Sequence, residues 1–81
     1  MRAVIVNFRG GLRTRYGREV IIRPLGDVEG PLIGRKAIWR NPHSGSQVIG
    51  RVIDTHGGGG YRVRFRLGLP GWAIGSELEI T

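Results

Sequence analysis

The sequence predicts an all-β protein, a small six-stranded barrel that is closed or nearly closed. Three observations lead there. Six short runs rich in Val, Ile and aromatic residues are each bounded by turn formers. No segment carries an apolar stripe at helical spacing beyond about two turns. Six strands this short would leave exposed edges unless the sheet closed on itself.

The first run, residues 3–8 (Ala-Val-Ile-Val-Asn-Phe), alternates so that Val4, Val6 and Phe8 are expected to face the core. The second is 19–23. Between them, residues 9–18 carry Arg9, Arg13, Arg15 and Arg18 around Tyr16, with glycines interspersed. Such a segment also reads as a solvated loop. Arginines interleaved with an aromatic nevertheless suit phosphate contact combined with base or sugar stacking, and RNA contact is the favoured reading.

The third run, 35–40, contains Lys36 and Trp39, the latter expected in the core. Residues 39–45 read as a hairpin tip at which Arg40 and His43 face a partner. The fourth run, 47–54, has apolar residues on both faces, and Gly50 in its middle suggests a bulge or a sharp bend at a barrel corner. Then come His56 and four consecutive glycines, Gly57 to Gly60. A phosphate-cradling nucleotide loop would need a helix next, but an alternating strand follows. The glycines read either as a hairpin connection or as bare backbone approaching RNA, with His56 near the phosphates.

In the fifth run, 61–66, Tyr61, Val63 and Phe65 fall on the core face. Arg62, Arg64 and Arg66 fall on the other, about 6.6–6.8 Å apart, as an outward row able to track a phosphate backbone. The last run is 77–80, with Leu78 and Ile80 inward and Glu77 and Glu79 outward.

Composition narrows the function. The chain has 81 residues, read as one domain spanning 1–81 without repeat or linker, and a net charge of +7. Twelve of its 13 basic residues are arginine, whose planar guanidinium suits phosphate, although base composition also favours arginine codons. A charge this positive attracts polyanions. Two histidines and no cysteine make a poor metal set, and no nucleophile or paired-carboxylate arrangement points to an enzyme. No cofactor, metal or small-molecule substrate is expected. No apolar run approaches the roughly 18 residues of a membrane span, and the apolar stretch at the N-terminus is too short for a signal peptide. The expected location is the cytoplasm.

Residues 50–70 carry a more specific signal. Gly50-Arg51-Val52, His56-Gly57, Arg62-Val63-Arg64-Phe65 and Leu69-Pro70 resemble the signature of a large-subunit ribosomal protein family of archaea and eukaryotes, the L-thirty-five-Ae family. The likeness extends to Val20–Leu25, Leu32–Arg35, Ile38-Trp39 and Ala73–Gly75, nearly the whole chain. Arg51 stands where lysine is common, Trp72 where a polar residue is common, and Asp27–Pro31 replaces a longer segment. The resemblance implies a six-stranded barrel similar to those of translation elongation factors. It implies a structural component of the large ribosomal subunit that binds large-subunit rRNA beside neighbouring ribosomal proteins, with no membrane partner. The alternative is a ribosome or ribonucleoprotein assembly factor with a related barrel. The full set of expected RNA contacts is Arg9, Arg13, Arg15, Arg18, Lys36, Arg40, His43, Arg51, His56, Gly57, Arg62, Arg64 and Arg66.

Overall fold

The computed structural model describes residues 1–8, 16–28 and 30–81, with the backbone alone at Tyr16 and Gly17. Six strands form in chain order: β1 (Arg2–Phe8), β2 (Tyr16–Pro24), β3 (Lys36–Arg40), β4 (Gln47–His56), β5 (Gly60–Pro70) and β6 (Glu77–Ile80). They close a barrel in the order β1-β2-β5-β4-β3-β6, every neighbouring pair antiparallel. The one helical piece among the described residues is a 3-10 turn, Gly71–Ala73. All six expected strands form, and the second, fourth and fifth run longer than the apolar residues alone suggested.

The inner face is filled by side chains, as a barrel this narrow requires. Val20, Val63 and Val52 lie side by side across β2, β5 and β4, all buried, with Phe65, Trp39, Ile5, Ile22, Leu78 and Ile80 around them. Each large side chain buried in this way stabilises the fold by roughly 1.5–3 kcal/mol. Leu32, in the connection between β2 and β3, is also buried. That connection is tied to the sheet: Gly34 N–H donates to Val52 O (2.7 Å), and Val52 N–H donates to Arg35 O (3.0 Å). Trp39 Nε1–H donates to Ser76 Oγ at 2.9 Å, which holds the 3-10 turn against β3.

Among the described residues the register shifts three times, and the shifts in β1 and β4 bear on the simple alternation. In β1 the register shifts between Ile5 and Asn7. The extra residue leaves Val6 and Asn7 both outside, so Ala3, Ile5 and Phe8 point inward while Val4 is half-buried and Val6 is 43% exposed. Strict period two fails across a bulge because two residues on one strand oppose one on the other. In β4 the shift lies between Val52 and Asp54, not at Gly50. Gly50 answers a different demand. A Cβ there would lie 2.5 Å from Arg64 O and 2.9 Å from Phe65 Cδ1, so its bare backbone lets the Phe65 ring pack inside the barrel.

Candidate nucleic-acid interface

The outward residues of β3, β4 and β5 make the basic face. Lys36 stands directly opposite Arg51 across β3 and β4, and Arg51 directly opposite Arg64 across β4 and β5. Neighbouring strands are about 4.7–4.9 Å apart, so three cations lie in a row across the sheet. Like charges in facing positions destabilise an antiparallel pair. The row ends on β2 at Glu19, which faces Arg64.

The side chains around the row are held differently. Arg51 Nη1 donates to Gly34 O at 3.1 Å, which orients that guanidinium. Arg64 Nε lies 3.8 Å from Glu19 Oε2, beyond hydrogen-bond reach, and its side chain is 67% exposed. Arg62 is engaged. Its Nη2 donates to Asp54 Oδ2 at 3.0 Å, its Nη1 is 3.7 Å from Glu19 Oε1, and its side chain is only 19% exposed. All three arginines of the expected row along β5 face outward; Arg62 is held by two carboxylates, while Arg64 and Arg66 are exposed.

Lys36, Arg51, Arg64 and Arg66 wall a concavity of about 430 Å³ on this face, with Ile49 and Ile53 among its other lining residues. Among the described residues no carboxylate lines it. Arg66 lies where β5 loses register with β2, between the Glu19–Arg64 and Gly17–Leu69 pairs. Ile49 and Ile53 escaped the sequence reading as site residues. Their signal was the apolar character of both faces of residues 47–54, which alternation alone could not resolve.

No family model matches the chain. Along nearly its whole length it is similar to the large ribosomal subunit protein eL33 of Methanopyrus kandleri: 44% identical over 84 aligned positions, covering 98% of this chain and 93% of the relative. The chain belongs to the eL33 family. This is the family whose older name is L-thirty-five-Ae.

The other expected contacts of this eL33-family chain lie away from the row. Arg40 lines a smaller concavity, about 210 Å³, over β3 and β6, where Glu77, Glu79 and Arg2 make the charge mixed. His43 sits at the β3–β4 hairpin, its backbone N–H donating to Asn41 Oδ1 at 2.9 Å. Its ring meets Trp72 edge-on at 5.0 Å, and Trp72 in turn lies 5.7 Å from Trp39. Trp39 is buried, as expected, whereas Trp72 is half exposed. His56 pairs with Gly60 across a turn in which Gly58 and Gly59 take positive φ, 77° and 85°. His56 is exposed, and nothing lies within 4 Å of where a Gly57 Cβ would be. This turn is five residues along β4 from Arg51, about 16 Å at strand rise. Arg18 is exposed on β2. Arg9, Arg13 and Arg15 fall outside the described residues. Among those residues no cluster of His, Cys, Asp or Glu is arranged to hold a metal ion, and no helix is long and apolar enough to cross a membrane.

Proposed function

We propose that this eL33-family chain is a non-enzymatic structural component of the large ribosomal subunit, a single barrel domain that binds large-subunit rRNA in cytoplasmic ribosomes. Its RNA-facing surface is the Lys36–Arg51–Arg64 row with Arg66, and Arg18, Arg40 and the His56–Gly57 turn make outlying contacts. The observation that carries this reading is the facing of like charges across three adjacent strands. The arrangement is unfavourable in the free protein and becomes favourable when phosphates neutralise it. Arginine suits the task because its planar fork pairs two phosphate oxygens at once. Neighbouring ribosomal proteins complete its surroundings.

The test is sedimentation of cell extracts at high salt. Co-sedimentation of the chain with mature large subunits supports the structural role. Recovery only in precursor fractions contradicts it and favours an assembly factor.

A further inference from the structure

The basic face is concave, and its lining is not uniformly polar. Along β4, Ile49 and Ile53 flank Arg51, and both contribute to the concavity that the four cations wall. A surface that only tracked a phosphate backbone would have no use for an aliphatic floor. A paired RNA helix keeps its bases stacked inside and presents ribose and phosphate at its surface. It can touch the rim of this concavity, but its base faces cannot reach the floor. A nucleotide turned out of the stack offers both required chemistries: a flat apolar face and an attached anionic phosphate.

We infer that the concavity between β3, β4 and β5 seats one unpaired RNA nucleotide, the base against Ile49 and Ile53 and its phosphates on Arg51 and Arg64. This rests on the proposed rRNA-binding role and deepens it. Arg51 is suited to the position because its hydrogen bond to Gly34 O fixes the guanidinium beside the floor. Arg64 has a largely exposed side chain and reaches a phosphate by exchanging its 3.8 Å ion pair with Glu19. Lys36 and Arg66 close the rim and neutralise the flanking phosphates. The lining contributed by the described residues is cationic and apolar, which matches the site to an anion.

The test uses the full chain with its isoleucine methyl groups labelled for NMR. It compares two RNA hairpins with the same number of phosphates, one fully paired and one with a single unpaired adenosine in its stem. A polyglutamate peptide of matched charge is the third ligand. The bulged hairpin is expected to bind about five- to tenfold more tightly than the paired one, as about 40–60 Å² of apolar surface taken out of water gives. It alone should move the Ile49 and Ile53 methyl signals upfield, as the ring current of a base laid over them requires. Ile53→Ser should abolish the preference for the bulged hairpin over the paired one. Equal affinities for the two hairpins with unmoved methyl signals would overturn the nucleotide site while leaving salt-dependent rRNA binding intact. Loss of salt-dependent binding to both hairpins would overturn the proposed function as well. Upfield methyl shifts produced equally by polyglutamate would show that the concavity takes an acidic peptide, and would also overturn the inference.

Discussion

Arg51 on β4 and Arg64 on β5 stand directly opposite each other on the outer face of the barrel. The Glu19 carboxylate beside Arg64 is shared with Arg62. Two facing guanidiniums raise the energy of the free protein, and the pair persists because the barrel interior, not the surface charge, sets the register of β4 against β5. Val52 opposite Val63 and Gly50 beneath Phe65 lock that register.

The repulsion is measurable by a double-mutant cycle of Arg51→Thr and Arg64→Thr followed by chemical denaturation. The coupling between the two positions is expected to be unfavourable by roughly 0.2–1 kcal/mol at low salt. It should fade at about 1 M salt, where the screening length falls to about 3 Å. A favourable coupling would mean that the two side chains are bridged within the free protein.

Arg62 should behave as a structural arginine. Arg62→Ala removes the guanidinium that pairs with both Asp54 and Glu19. Both pairs are partly exposed, so the expected loss of stability is about 1 kcal/mol. In a domain of this size that lowers the melting temperature by roughly 4–8 °C. RNA affinity at fixed moderate salt should change by no more than about twofold, because Asp54 and Glu19 already compensate the Arg62 charge. A larger binding defect with an unchanged melt would return Arg62 to the RNA-facing set.

Gly50→Ala tests the packing beneath the site. The new methyl collides with Arg64 O and the Phe65 ring, and the nearest atom is backbone, which has little room to yield. The expected cost is about 1–3 kcal/mol, the usual range for overpacking a close-packed interior. Thermal denaturation reads it directly, and a melt unchanged from the parent chain would show that β4 and β5 separate freely.

Most of the barrel could be read from residue pattern because alternation is a strong signal wherever a strand buries one face. Val63 and Phe65 between arginines, and Leu78 and Ile80 between glutamates, were assigned correctly on that ground. Alternation failed in β1 because the bulge at Val6 changes parity in mid-strand, and composition does not mark where a bulge will fall. The site was only half readable for a related reason. Spacing along one strand is visible in a sequence, so Arg62, Arg64 and Arg66 looked like a row. Register between strands is not visible. The facing of Lys36, Arg51 and Arg64, and the capture of Arg62 by Asp54 and Glu19, emerge only from the pairing of β2, β3, β4 and β5.

The most direct test is filter binding of a large-subunit rRNA fragment across a range of salt concentrations, using two double variants of equal charge change. One is Arg51→Gln with Arg64→Gln, from the cross-strand row. The other is Arg2→Gln with Arg23→Gln, exposed arginines on β1 and β2. The row variant is expected to lose roughly 30-fold or more in affinity, two charged contacts at over 1 kcal/mol each. Its slope of log affinity against log salt should be shallower by about 1.4–1.8, at 0.7–0.9 per phosphate contact. The other variant should lose about threefold or less, since its charges are screened at moderate salt. Equal losses and equal slopes would contradict the row as the RNA-binding surface and show that the protein binds through diffuse charge.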